Sequence, residues 1–347
     1  MPGIVGTPVI AYTSTTHWIA APAAGEGDLA WLEVGKSVGD VRTVAAFRGD
    51  RLLLRVGTAN RTIVDSGCTE APCDGVRAPV GGSGGVFGYA IAFPGTGGYV
   101  GTVGSTGVAT LVAEDASDPA TITAPHLVAL TPTAMVWVDD GAIRTASLAG
   151  GAPTVLVAAD ATGGEVTSLA ASDGVVAWSA KLPLGGSAVS VRAGGGAVVE
   201  LGREPNPNVG LLGGVGVAAD GTVVAVHRSY PAGQQQVDII AFAASGIRRS
   251  LLSSLPFSRK APFEAMRPSV TGNLLAVRRR EGTSGAQDAI YVINLSTGIT
   301  VRAAVSLRST ARLSDPSLAG GRLVWAKTTF RRSVFQRAQI FSAPVRG

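Results

Sequence analysis

Apolar residues in this chain fall in short runs set between turns rather than in long stripes. RLLLRV (51–56), TVVAV (222–226) and AIYVINL (289–295) are typical, with Gly, Asp and Ser clustered between such runs. No apolar stripe with a 3.6-residue period persists over ten residues, so the pattern predicts strands and turns. A second regularity overlies the first. A turn followed by an apolar strand with a large residue near its end recurs as GDLAW (to Trp31), GVFGY (Tyr89), AMVW (Trp137), GVVAW (Trp178), GTVVAV (Val226), GNLLAV (Val277) and GRLVW (Trp325). Successive anchors are 58, 48, 41, 48, 51 and 48 residues apart, so seven units fill the chain.

Each unit divides alike. A short run, a tight turn (Asp173-Gly174, Asp220-Gly221, Gly320-Gly321) and the anchor strand are followed by a third strand such as SAVSVRA. A second Gly turn then leads into a fourth, such as AVVEL. Gly accepts the positive φ that hairpin turns of the right twist require. Four antiparallel strands per 40–50 residues, repeated seven times, predict an all-β, seven-bladed propeller spanning residues 1–347 as one domain. After Trp325 only one more strand, AQIFSAPV, fits before the end, whereas TPVIAY (7–12) precedes the first full unit. The N-terminal strand is therefore expected to complete the last blade, since an open ring would leave a bare sheet edge. The anchor aromatics are expected to be wedged between neighbouring sheets.

The units SDPSLAGGRLVWAKTTF, EVTSLAASDGVVAWSA and MRPSVTGNLLAVRRREGTSGAQDAIYVINLSTG resemble the repeats of bacterial TolB-like, WD40-like propellers: Pro-Ser, a Gly turn, an apolar strand, then Ile-Tyr and a further Gly. The resemblance covers the whole chain. It implies a propeller, usually exported, often a binding platform, and it carries no set of catalytic residues.

Composition narrows the class without naming an activity. With 46% hydrophobic and 15% charged residues the chain is globular, not disordered. No apolar stretch reaches the roughly 20 residues of a membrane span. The start, MPGIVGTPVIAY, has no basic stretch and no long apolar core, so no secretory leader is read there. The only cysteines, Cys68 and Cys73, lie in the loop-like DSGCTEAPCDG and are expected to be disulfide-bonded. That pairing points to an extracellular or periplasmic protein, with the cytoplasm as the alternative.

Candidate chemistry follows from aligning the units on their anchors. Ten residues before each anchor stand Ala21, Pro79, Leu127, Ser168, Gly216, Arg267 and Asp315, which are expected to line the central channel. Arg267 and Asp315 occupy one slot in adjacent blades and should be neighbours, as an ion pair or a ligand-binding pair. His126 and Arg77 are candidates to join that mouth, as are His17 and Trp18 from the first unit. The three histidines are scattered and not at ligand spacing, so no metal or cofactor is expected. No P-loop, H-E-x-x-H or D-x-D-x-D-G run is present, and GGSGG (81–85) has no following Lys and leads into a strand.

Charge is uneven. Residues 1–239 hold 12 basic and 20 acidic residues (net −8), and residues 240–347 hold 17 and 4 (net +13), which sum to the overall +5. A basic sector on blades 6 and 7 can attract polyanions. Arg278, Arg280, Arg331 and Arg332 are the candidates, with Arg278 and Arg280 expected to face solvent and Arg279 a neighbouring blade. Nucleic acid is not expected, because aromatics are not interleaved with these arginines as stacking platforms require. The expected function is a non-catalytic binding or scaffold propeller, monomeric, recognising a glycan, polyanion or protein through the channel mouth or the basic sector. A hydrolase or lyase acting on a glycan or small polar substrate at the mouth is the alternative.

Overall fold

The computed structural model describes residues 4–35, 48–49, 51–65, 76–77, 79–93, 97–115, 127–243, 246–253, 266–281, 286–332 and 334–346. These residues form seven antiparallel sheets and three short 3-10 turns, arranged as a ring of seven four-stranded blades. The protein is a seven-bladed β-propeller. In blade 4 the strands Glu165–Ser172, Val175–Lys181, Ser187–Ala193 and Val199–Glu204 run outward from the centre in chain order. Blade 1 (His17–Ala24, Leu29–Gly35, Arg51–Val56, Ala59–Asp65), blade 3, blade 5 and blade 6 repeat that order. Among the described residues no helix is long and apolar enough to cross a membrane.

The ring closes as the sequence predicts. Val9–Ser14 pairs antiparallel with Val334–Pro344, with Val9 opposite Ser342 and Ser14 opposite Ala338, and so forms the outermost strand of blade 7. The seam continues through Gly6 N–H to Pro344 O at 2.8 Å and Arg346 N–H to Ile4 O at 2.9 Å. Backbone groups that would otherwise form an open edge are thereby paired.

The core lies between blades. Second strands are covered on both faces, so alternate residues pack against the preceding and the following blade. Trp31 packs with Val324, Ala326 and Ile340 of blade 7, Tyr89 with Leu32 and Leu54 of blade 1, and Trp137 with Ala90 and Val100 of blade 2. Trp178 meets Val136 and Val138 of blade 3, and Trp325 meets Ala276 and Ile290 of blade 6. All five anchors are buried, and the Trp178 indole N–H donates to Thr162 O at 3.0 Å. Blade 5 departs from the expected register. Val226 faces blade 6, and the residue turned towards blade 4 is Ala225. The turn before that strand spans one residue more, with Ala218 N–H bonding Thr222 O, and a shift of one residue exchanges the two faces.

Inner strands of adjacent blades approach closely. A Cβ on Gly81 would lie 1.8 Å from Ala24 O, and one on Gly214, whose φ is +36°, 1.9 Å from Met266 O. Serine hydroxyls clip these strands together. Ser168, Ser269 and Ser317 each accept a backbone N–H from the next blade, those of Val215, Leu318 and Ala24, at 3.0, 2.9 and 3.0 Å. The serine of each Pro-Ser pair, Pro268-Ser269 and Pro316-Ser317, is thus an interblade fastener.

Candidate functional site

The central channel holds a cavity of about 420 Å3 to which the first strands of all seven blades contribute. Its walls are mostly small or apolar: Ala21, Pro79, Val128, Ala170, Val215 and Val270 are representative. Local backbone irregularity turns these residues inward. The first strand of blade 1 bulges between Ala20 and Ala23, with Ala21 at φ +45°, and blades 4 and 5 bulge between Val166 and Ser168 and between Gly213 and Val215. A bulge re-aims the residue it carries. In blade 7 the first strand is broken instead, into Ala311–Leu313 and Ser317–Ala319, and the break presents Asp315. Six of the seven slots ten residues before an anchor line the cavity, and Leu127 packs in the blade 3–4 core instead.

Charge on the wall is sparse and divided by position. Glu26 and Asp173 stand at turns after a first strand, whereas Arg267 and Asp315 stand before one. The two pairs therefore mark opposite ends of the channel. Arg267 and Asp315 are neighbours, but the contact is not a simple ion pair. The Arg267 backbone N–H donates to Asp315 Oδ2 at 3.1 Å, and the guanidinium donating to Oδ1 is that of Arg278, through Nε at 3.0 Å. Arg278 Nη1 also lies 3.8 Å from Asp288 Oδ1, which accepts from Arg308 Nη1 at 2.5 Å. Asp288 Oδ2 receives Leu313 N–H at 3.5 Å. A ladder Arg308–Asp288–Arg278–Asp315 thus runs radially through blade 6 to the channel wall at Arg267. Burial pushes the Asp315 carboxyl up, against the pull of Arg278 and Arg267. Burial pulls the Arg267 guanidinium down to about 10, and the attraction of Asp315 only partly offsets this.

The remaining sequence candidates are dispersed. His17 lies in the blade 1 seam. Its Nε2 accepts from Arg51 at 2.7 Å, which leaves the proton on Nδ1 beside Thr16 Oγ1 at 3.0 Å. Buried Glu33 receives the Tyr12 hydroxyl and Arg51, both at 2.8 Å. Trp18 packs on Phe330 and Phe335, with centroids 5.3 and 4.8 Å away. Neither His17 nor Trp18 lines the channel cavity. Arg77 is a strand residue opposite Arg48. His126, Cys68 and Cys73 lie outside the described residues.

The arginine cluster of blade 6 requires correction. Arg278 and Arg280 are buried, not solvent-facing, and Arg279 is buried too. The strand that carries them, Leu274–Glu281, is second in its blade and sandwiched on both faces, so alternation offers no solvent side. Arg279 bonds Ser253 O at 2.6 Å and Glu281, and lies 4.7 Å over the Tyr291 ring. Arg331 and Arg332 are exposed at the hairpin of blade 7, Arg332 with φ +50°. That hairpin does interleave aromatic and basic residues, as Phe330, Arg331, Arg332, Phe335 and Arg337.

Two features escaped the reading of the sequence. His227, in the second strand of blade 5, lies between Glu204 Oε1 (3.0 Å) and Asp238 Oδ2 (3.8 Å). Burial pushes Asp238 up, but hydrogen bonds from His227, Gln236 and Ser253 outweigh this and hold it below its ordinary value. The partners are distant in sequence, and no local spacing signals them. The run 81–85 also has the G-x-S-x-G spacing of a nucleophile elbow. It joins two strands through a 3-10 turn, where an elbow needs a strand leading into a helix.

No protein-family model matches the chain, and no curated protein does. Solved structures do. An oligogalacturonate lyase from Vibrio parahaemolyticus is 9% identical, with 98% of this chain and 94% of that chain covered and a TM-score of 0.54. The tricorn protease is 13% identical at a TM-score of 0.40, and a puromycin-hydrolyzing peptidase from Mycobacterium tuberculosis 14% identical at 0.43. The matches cover 94% and 90% of this chain but only 30% and 57% of those proteins. The likeness to the lyase is one of fold.

Proposed function

We propose that the protein is a non-catalytic binding propeller that takes a small polar ligand, such as a glycan residue, in its central channel. The observation that carries this is the cavity of about 420 Å3 walled by small and apolar residues from every blade, a size and character suited to a small ligand. The chemistry of the wall supports binding over catalysis. Asp315 is bonded to Arg278 and to the Arg267 N–H, so both of its oxygens are engaged in holding the fold. The Pro-Ser repeats, with their resemblance to TolB-like propellers, support the same reading.

A glycan array probed with the whole chain tests it. Binding without turnover supports the proposal. Release of shortened or unsaturated products would turn it into the hydrolase or lyase that is the competing reading; the Vibrio parahaemolyticus protein is named a lyase. Exposed Arg331 and Arg332 favour a second contact, with a polyanion, on blade 7. An exported monomer with Cys68 joined to Cys73 completes the proposal. Thiol titration of the denatured, unreduced protein would then find no free thiol, and two would place the chain in a reducing compartment.

A further inference from the structure

The hairpin of blade 7 carries its strands further than any other. Its second strand runs to Arg331, six residues past Trp325. The described second strands ending at Gly35, Phe93 and Glu281 stop four residues past their anchors, and the remaining ones stop sooner. The ladder holds to the tip, where Phe330 pairs with Phe335 and Arg331 with Val334. At about 3.3 Å per residue, two extra positions carry the paired strands roughly 7 Å further. The side chains there are of mixed character. Val334 is 62% exposed, and Arg331, Arg332 and Arg337 are exposed around it. One step in, half-buried Phe330 and Phe335 pack on half-buried Trp18 of blade 1. No acidic residue follows Asp315 in the chain. Arg332 holds φ +50°, a backbone conformation that favours Gly, so the turn itself presents a cation.

We propose that this hairpin docks the propeller on an anionic phospholipid bilayer, with Val334 and the aromatic layer at the acyl boundary and the arginines among the headgroups. The inference rests on the polyanion contact read for blade 7 and names its partner. A dissolved polyanion is held by charge alone and gives no place to an exposed valine, whereas acyl chains bury it favourably. Arginines beside an apolar tip lay their stems along it and keep their guanidinium groups at the anionic surface. A base-stacking site would need open ring faces, but Trp18 lies against both Phe330 and Phe335, with centroids 5.3 and 4.8 Å away. Packed in this way the three rings form a wedge, and the headgroup boundary is where Trp is favoured. Interfacial elements sink only about 5–10 Å, a depth that the tip pair and the aromatic pair beneath it span.

Sedimentation of the whole chain with vesicles tests the proposal, with phosphatidylcholine alone set against phosphatidylcholine mixed with phosphatidylglycerol. Binding is expected to the anionic vesicles only, and should weaken as salt rises. The R331Q/R332Q double variant should weaken it by at least about tenfold. V334S should weaken it roughly fivefold and leave retention on heparin unchanged. Of the five tryptophans, Trp31, Trp137, Trp178 and Trp325 are buried, so quenching by brominated acyl chains reads Trp18 and should vanish in W18F. Heparin retention without vesicle binding overturns the lipid contact and leaves the polyanion reading standing, whereas absence of both overturns the two together. Vesicle binding that V334S leaves unchanged, that shows no quenching, or that survives R331Q/R332Q overturns the proposal as well. Val334, Arg331 and Arg332 are exposed, so their variants should keep the parent's melting temperature. Should one not, quenching in the unmodified protein decides.

Discussion

At the scale of single residues, the ladder and the close-packed glycines give the sharpest expectations. Replacing Asp315 with Ala removes the carboxylate that accepts from Nε of buried Arg278 and leaves Asp288, which Arg308 already contacts, 3.8 Å from its Nη1. Breaking a buried pair from one side costs roughly 3–5 kcal/mol, so D315A should lower the denaturant midpoint accordingly. A D315A variant as stable as the parent would show that the ladder is not held together by charge. G81A should also destabilise, because its Cβ would fall 1.8 Å from a backbone oxygen, and the same denaturant midpoint reads the loss. Six of the slots around the channel were legible in the sequence because each stands at the same ten-residue spacing from its anchor. The fate of Arg278 and Arg280 was not. Period-2 alternation distinguishes two faces of a strand, but in a propeller both faces of a second strand meet another blade. The partners of Arg278, Asp288 and Asp315, sit a strand or a blade away.

The element that most rewards scrutiny is the strand Val9–Ser14. Its Tyr12 reaches across the seam to Glu33, and burial together with that hydrogen bond pushes the phenol up to about 12. A phenol titrates near 10 in the unfolded chain, so the fold favours its protonated form. The stabilisation is complete below about pH 10 and is lost as pH rises through about 12. Stability followed by circular dichroism should fall across that window. Tyr89, pushed up to about 12 by its burial, contributes to the same fall, so Y12F should remove part of it and not all. An unchanged alkaline profile in Y12F would show that the seam does not depend on this hydroxyl. The closing strand was predictable because a missing fourth strand and a spare first one are both visible in the sequence. The register of blade 5 was not, since a three-residue turn and a two-residue turn look alike when both contain Asp-Gly.

Across the whole molecule, two properties follow from the ring. Deleting residues 1–13 strips the outer strand from blade 7 and should lower the melting temperature of the entire protein in one cooperative transition. A separate low-temperature transition, or none, would mean the blades unfold independently. The division of charge, −8 over residues 1–239 and +13 over residues 240–347, should give retention on heparin at low salt that falls steeply as salt rises. With Arg278 and Arg280 buried, charge reversal at Arg331 and Arg332 is the test, and retention unaffected by it would remove the hairpin of blade 7 from the contact.

The strand that seals the ring also sets when it can be sealed. Residues 9–14 are synthesised well before their partners at 338–342. Until those partners exist the strand Val9–Ser14 has no sheet to join, and blade 7 lacks its outer edge. Closing a loop that spans nearly the whole chain is entropically late and slow compared with forming any one hairpin. During synthesis the N-terminal strand is therefore an exposed, unpaired segment with an apolar VIAY core, the kind of sequence that chaperones and aggregates compete for. The final fold is protected at its rim because the nascent one waits, unprotected, for a strand made more than three hundred residues later.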